Sequence, residues 1–259
     1  MIYTIGDLHG CVAKFKHLLE REGITQNHLW AAESSHLVLL GDSIDRGEDG
    51  IGVIEHIMQL ELEAKQVGGK VTALLGNHDV ILLEAFYFST QKVKRLTKYG
   101  QDITFLEMWK KNAGGRLPDL ERLEPKHIAW LQQRPAMLVE QQTLFMHADS
   151  TFYLEYGKSV QDINSTIQQI LEDHQIGAVD LLEERFCRRK EFLHDSRLAL
   201  SFAEHFGVKR IVHGHTQISG LLNLEPTEVL EPFVYADGVC INLDHGLCYG
   251  GDGFVWRWS

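Results

Sequence analysis

Short, nearly continuous apolar runs alternate along this chain with longer stretches in which apolar residues recur every three or four positions. Residues 2–6, 36–41 and 70–75 are runs of the first kind and read as buried strands. Residues 11–22 read as a helix, with Val12, Phe15, Leu18 and Leu19 at helical spacing. Residues 50–66 read as a second helix, with Ile51, Ile54, Ile57, Met58 and Leu62 on one side and Gly68-Gly69 ending it. Such alternation predicts an α/β fold with a largely buried sheet and crossover helices. Residues 80–135 break the rhythm. Residues 80–88 look helical; a mixed segment follows, with Lys92, Lys94, Arg95 and Lys98, then Asn112-Ala-Gly-Gly115 and two more helical stretches. We read this as a cap inserted into a single domain spanning 1–259. The strand rhythm returns at 137–146, read as one strand, and at 208–216. Residues 159–174 and 178–206 between them read as mostly helical. Glycine-punctuated strands at 233–236, 239–243 and 254–258 complete the pattern.

The strands share a feature that the apolar pattern does not explain. Each ends in residues that do not belong in a core: Asp7 and His9; Asp42, Asp45 and Arg46; Asn77, His78 and Asp79; His147 and Asp149; His213 and His215. Open α/β sheets place their sites at the carboxyl ends of strands. One Asp-x-His would be a turn; five such ends converging are a site, over which the 80–135 cap would lie as the determinant of substrate choice. Two divalent ions need several oxygen and imidazole ligands and a shared anionic bridge. Asp7 and His9 share one loop, Asp42 can bridge, and Asn77, His147 and His215 can complete a second ion's shell. Such a pair lowers the pKa of a bridging water and stabilises both ends of an in-line displacement, which suits phosphoryl transfer to water. Arg46 suits a phosphate. His78 is placed to protonate a leaving oxygen, with Asp45 holding its ring in the right tautomer. His213 reads as a buried structural histidine. His17, His28, His56, His127, His174, His194 and His205 have no such partners and read as surface.

Composition narrows the classes. The chain has 259 residues and a formal net charge of -11, which argues against a general nucleic-acid binder. The local cluster Arg185, Arg188, Arg189 and Lys190 reads as a solvated helix face balanced by Glu183, Glu184 and Glu191, although cations near grouped carboxylates would also neutralise them. No apolar run approaches the ~18 residues of a membrane span. The N-terminus enters a strand without a basic region, so we expect no membrane partner and a cytoplasmic location. Cys11, Cys187, Cys240 and Cys248 form no CxxC pair and read as reduced thiols. There is no GxxxxGK[ST] loop, HExxH or GxSxG to support a rival chemistry.

Gly6-Asp-Leu-His-Gly10, Gly41-Asp-Ser-Ile-Asp-Arg-Gly47, Gly76-Asn-His-Asp79, His147-Ala-Asp149 and Gly214-His-Thr216 together resemble the ordered motifs of the calcineurin-like metallophosphoesterases. The Asp-Arg-Gly ending resembles the phosphoprotein phosphatase branch, and the later motifs resemble its bacterial and phage type, which includes lambda phosphatase. The resemblance implies a four-layer α/β/β/α sandwich with a binuclear site between the sheets. By position, Asp7, His9 and Asp42 would hold one metal, and Asp42, Asn77, His147 and His215 the other, manganese being favoured over iron or zinc. His78 would be the general acid, Asp45 its orienting partner and Arg46 a phosphate ligand. Arg188 best matches a second phosphate-binding arginine, with Arg185 and Arg189 as alternatives. The last motif reads Gly-His-Thr-Gln, without a second histidine, which disfavours nuclease and cyclic-nucleotide phosphodiesterase chemistry. The expected activity is hydrolysis of phosphomonoesters, in phosphorylated proteins or small phosphorylated substrates, by a metal-bridging hydroxide without a phosphoenzyme. Dinucleoside polyphosphate hydrolysis is the alternative within the enzyme class; a non-catalytic metal-binding interaction module is the alternative outside it.

Overall fold

A computed structural model describes residues 1–94 and 102–258. Its strands in chain order are β1 (Ile2–Ile5), β2 (Thr25–Gln26), β3 (Leu29–Trp30), β4 (His36–Leu39), β5 (Lys70–Ala73), β6 (Met137–Glu140), β7 (Thr143–Met146), β8 (Arg210–His213), β9 (Phe233–Tyr235), β10 (Cys240–Asn242) and β11 (Trp256–Trp258). One sheet has the order β11-β1-β4-β5, with β1, β4 and β5 parallel and β11 antiparallel at the edge. The other has the order β6-β7-β8-β10-β9, parallel at its centre and antiparallel at both edges.

Both faces of the central strands are covered, which is why these strands read as unbroken apolar runs. Alternate residues separate into two cores. Ile2, Val38, Leu40, Leu74 and Trp258 of the first sheet meet Phe145, Val212, Ile241 and Leu243 of the second between the sheets. The opposite faces, with Tyr3, Ile5, Leu37, Leu39, Leu144, Met146 and Ile211, pack under the helices. Helices α1 (Val12–Arg21) and α2 (Gly50–Gln66) pack on each other, and α2 covers β5. Helix α3 (Asn77–Tyr87) is buried on all sides from Asn77 to Ala85. The α/β sandwich expected from the sequence is therefore the fold.

Of the 80–135 stretch, the described residues after α3 hold α4 (Phe105–Met108), a π-helical turn at Trp109–Ala113, α5 (Leu117–Glu121) and α6 (Pro125–Gln132). A capping box starts α4: Glu107 N donates to Thr104 Oγ1 and Thr104 N donates to Glu107 Oε2. Ile103, Phe105, Met108 and Trp109 belong to the same apolar cluster as α1 and α2. Of the basic stretch at its start, Arg95 and Lys98 lie outside the described residues. Beyond it, α7 (Val160–Asp173) packs on β6 and α8 (Ile176–Phe186) on α3, followed by α9 (Glu191–His194), α10 (Ser196–His205) against β8, and α11 (Ile218–Leu222).

Three local readings change. Residues 137–146 are a hairpin, β6 and β7, turning at Gln141 and Gln142, whose φ angles of 48° and 59° are both left-handed. Asn77, His78 and Asp79 are the first turn of α3, where the sequence placed them at a strand's end ahead of a helix at 80–88; Asp79 accepts the Gly76 N–H at 2.8 Å and so starts the helix three residues early. His56 and His127 are buried, not surface. His56 packs edge-on against Phe15, and His127 Nδ1 accepts the Glu124 N–H at 3.0 Å.

Candidate metal and phosphate site

The loops after β1 and β4 are tied together by backbone hydrogen bonds: Leu8 and His9 N–H donate to Asp42 O, and Gly10 N–H donates to Ser43 O. Asp79 then fixes the second loop from below, accepting the N–H groups of Asp42 at 3.1 Å and Ser43 at 3.2 Å. His9, Asp42, Asp45, Arg46 and His215 all have positive φ, between 44° and 69°. Left-handed backbone at this many non-glycine residues is costly and collects where a site has to be shaped. A Cβ on Gly76 would overlap Asp42 Oδ1, so only glycine lets the two loops approach this closely.

Asp42 stands at the centre with its two oxygens turned apart. Oδ2 faces His9 Nε2 at 3.6 Å and His78 Nε2 at 3.9 Å, while Oδ1 faces His147 Nε2 at 3.4 Å. Asp7 Oδ2 lies 3.8 Å from His9 Nε2, and both Asp7 oxygens accept the His215 N–H, at 3.0 and 3.1 Å. Asn77 Oδ1 is 3.1 Å from His147 Nε2, and the rings of His147 and His215 are 4.7 Å apart. Two buried groups of donors result, His9–Asp42–His78 and Asp42–His147–His215, each with its ligand atoms within 4.8 Å of one another.

The histidine tautomers follow from their outer partners. His9 Nδ1 lies 3.1 Å from Ile44 O and His147 Nδ1 lies 2.8 Å from Leu40 O, so these nitrogens carry the protons and both Nε2 lone pairs face inward. At His147 a lone pair, an amide oxygen and a carboxylate oxygen then point at one another. Acceptors gathered in this way need a cation among them. Burial pushes His147 down to about 3, which removes protonation as the remedy. Burial raises Asp42 to about 7, with Arg46 opposing it, and raises Asp7 well above its ordinary value, reinforced by Asp244 and Asp42. The donor set fits two divalent ions.

Beside the ligands, Asp45 Oδ2 lies 2.8 Å from His78 Nδ1, and the Trp109 indole N–H donates to Asp45 Oδ1 at 2.8 Å. Arg46 donates from Nη1 to His9 Nε2 at 2.6 Å and from Nη2 to His78 Nε2 at 2.8 Å. An adjacent cavity of about 210 Å³ is lined by Arg46, Arg189, Lys190, His215, Thr216 and Gln217. The structure separates the arginines of the 185–190 cluster. Arg185 and Arg188 both pair with Glu155, at 2.7 and 3.1 Å, whereas Arg189 lines the cavity. Arg188, the sequence choice, pairs with Glu155 and is absent from the lining of this cavity. His213 stays outside the ligand groups, its Nε2 hydrogen-bonded to Tyr235 at 2.7 Å.

Sequence reasoning missed Trp109 and Asp244. Asp244 is buried, raised to about 6 by that burial, and acts electrostatically on Asp7. The signal was present: residues 239–243 are a strand run ending in Asp-His-Gly, as β1 ends in Asp-Leu-His-Gly. Trp109 carries no local motif.

Residues 1–219 match the calcineurin-like phosphoesterase family. The chain is similar to Shewanella-like protein phosphatase 2 of Arabidopsis thaliana, 32% identical over 35% of this chain but only 24% of that protein. It is also similar to a symmetrical bis(5'-nucleosyl)-tetraphosphatase of Buchnera aphidicola, 25% identical over 96% of this chain and 91% of that one. Among solved structures, a cold-active protein-tyrosine phosphatase of a psychrophilic Shewanella species superposes with a TM-score of 0.72 at 20% identity, covering 98% of this chain and 73% of that one. No helix among the described residues is long and apolar enough to cross a membrane. With the match running through every strand-end motif from Asp7 to His215, this chain belongs to the calcineurin-like phosphoesterase family.

Proposed function

We propose that this protein is a metal-dependent phosphatase that hydrolyses phosphomonoesters, with phosphorylated serine, threonine or tyrosine side chains as its substrate class. The observation that carries this reading is the placement of Asp42, one oxygen toward His9 and His78 and the other toward His147. Asp7, His9 and Asp42 would hold one ion, and Asp42, Asn77, His147 and His215 the other, with manganese the ion we favour. Two divalent ions supply Lewis-acid polarisation of a phosphate and a water acidic enough to attack at neutral pH.

The chain's own residues do the rest. Arg46 and Arg189, both bordering the cavity, present guanidinium donors to phosphate oxygens. His78 holds a proton for the leaving oxygen. Burial, then His9 and Arg46, keep its pKa well below the ordinary value, so its protonated form depends on added negative charge. A phosphate dianion arriving beside it provides that charge, and Asp45 is the counter-charge already in place. The 103–116 part of the insertion, through Trp109 at Asp45 and Gly114 O at Arg46 N, is the segment we propose as the cap over this site.

A second reading is hydrolysis of dinucleoside polyphosphates, favoured by the near full-length similarity to a symmetrical bis(5'-nucleosyl)-tetraphosphatase. Phosphate release by chelator-stripped protein, with and without Mn²⁺, on a phosphopeptide and on diadenosine tetraphosphate side by side, decides between them. Mn²⁺-dependent turnover of the phosphopeptide is expected. A preference for the dinucleotide would move the function to nucleotides, and no turnover of either with Mn²⁺, Fe²⁺ or Zn²⁺ would remove the enzyme reading.

A further inference from the structure

We infer that Trp109, delivered by the insertion, is a positioning residue for the His78–Asp45 pair and thereby sets how well this enzyme expels a poor leaving group. The inference rests on the phosphatase reading above. Asp45 is fully buried and has two oxygens to place. One meets His78 Nδ1 and the other the Trp109 indole N–H, both at 2.8 Å. An indole N–H can only donate, and a buried one must find an acceptor. Here it is given to the one carboxylate that orients His78. With Oδ1 held by Trp109, Oδ2 has a fixed direction, and the His78 ring can take only the orientation that leaves Nε2 facing Asp42 and Arg46.

The surrounding backbone is built around this contact. Trp109 is fully buried and begins a π-helical turn, a rare geometry that recurs at functional sites. The turn closes with the N–H of Gly115 on Trp109 O at 3.2 Å. Gly115 lies flat on the indole, so that a Cβ there would overlap the ring. Gly114 O accepts the Arg46 N–H at 3.2 Å, so the same turn also grips the phosphate-binding arginine's backbone. None of this is needed to bury a tryptophan. A phenylalanine would bury an aromatic ring there without an N–H to place.

Trp109→Phe tests it: an aromatic ring stays and the N–H donor goes, and a parallel measurement of unfolding stability separates the effect of the smaller ring's cavity from that of the lost hydrogen bond. Turnover is compared on p-nitrophenyl phosphate, whose leaving group needs little protonation, and on phenyl phosphate and a phosphoserine peptide, which need it. Losing a hydrogen bond to a buried carboxylate should cut kcat on the two poor leaving groups roughly 10- to 100-fold. The loss on p-nitrophenyl phosphate should be several-fold smaller, with KM and bound metal unchanged. On an Asp45→Asn background Trp109→Phe should add little. An equal loss on all three substrates, a full additional loss on Asp45→Asn, or no loss would overturn the inference while leaving the phosphatase reading standing. Absence of turnover by the wild-type protein would remove both. If Trp109→Phe does not fold, Gly115→Ala, whose methyl must push the indole off Asp45, is expected to give the same leaving-group dependence, and a uniform loss there would overturn the inference equally.

Discussion

His78 and Asp42 sit a few ångströms apart yet should fail in different ways. The hydrogen bond by which His78 holds the shared ligand Asp42 comes from its backbone N–H, at 3.0 Å on Oδ1, and survives substitution of the side chain, so His78→Asn should keep bound metal and cut turnover of a poor-leaving-group substrate by ~10²–10⁴; metal content and kcat measured on the same preparation check this. Asp42→Asn replaces one of the two oxygens shared out between the donor groups by an amide nitrogen and removes the charge, and should abolish activity together with metal content. The arginines offer a sharper contrast. Arg189→Ala removes a guanidinium from the cavity and should lower kcat/KM about 10- to 100-fold, whereas Arg188→Ala breaks only the pair with Glu155 and should stay within about twofold. Equal effects of the two would return the choice to Arg188. The ligand residues were legible because each follows an apolar strand run, where a carboxylate or imidazole has no packing reason to stand. Arg188 and Arg189 were not separable in the sequence, since the irregular turn between α8 and α9 decides which guanidinium meets Glu155 and which meets the cavity. Trp109 was invisible for a related reason: its partner Asp45 is 64 positions away, and no local pattern records a contact of that separation.

Elements were legible where periodicity is long and failed where a turn does the work. Helix α2 spans Gly50–Gln66, the range read from the spacing of its apolar residues. The hairpins at 25–30 and 137–146 were not read, because their turns carry Asn27-His28 and Gln141-Gln142 at left-handed φ where Asn-Gly is the usual signal. This unfavourable pair makes a prediction: replacing Gln141-Gln142 by Asn-Gly should stabilise the protein by about 1 kcal/mol in denaturant unfolding, with activity unchanged. An unchanged midpoint would mean that the flanking strands, not the turn, hold the hairpin. The start of α3 carries more weight. Asp79 accepts three backbone N–H groups, from Gly76, Asp42 and Ser43. It therefore joins a helix N-terminus to the loop that carries the shared ligand. Asp79→Ala should cost about 3 kcal/mol and weaken metal binding, although Asp79 is no ligand itself. Loss of stability with unaltered metal affinity would confine its role to capping the helix.

At the scale of the whole molecule, this acidic protein brings Asp7, Asp42, Asp45, Asp79 and Asp244 into one buried region. Burial is the first cause of every upward shift among them: Asp42 and Asp79 to about 7, Asp244 to about 6, Asp7 and Asp45 well above their ordinary values. A carboxyl raised in the fold contributes stability that is full below its unfolded value and is lost as pH rises through the folded one. The site histidines are shifted the other way, by burial, and lose stability only as pH falls below about 6.5. Between pH 7.5 and 9 those histidines are essentially neutral in both states, so among the site's groups the slope there comes from the carboxyls alone. Chelator-treated protein should therefore lose about 3–6 °C in Tm across that window. Protein saturated with Mn²⁺ should be flat over it and more stable throughout, because the ion binds the ionised carboxylates and binds the folded state preferentially. Isothermal titration in two buffers of different ionisation enthalpy should register protons released as the ion binds near pH 7. A flat profile for the metal-free protein, or metal uptake without proton release, would mean that these carboxylates are ionised in the fold without a cation. The fold would then not need an ion at Asp42, and the argument that these buried acceptors are arranged around divalent metal would lose its energetic ground.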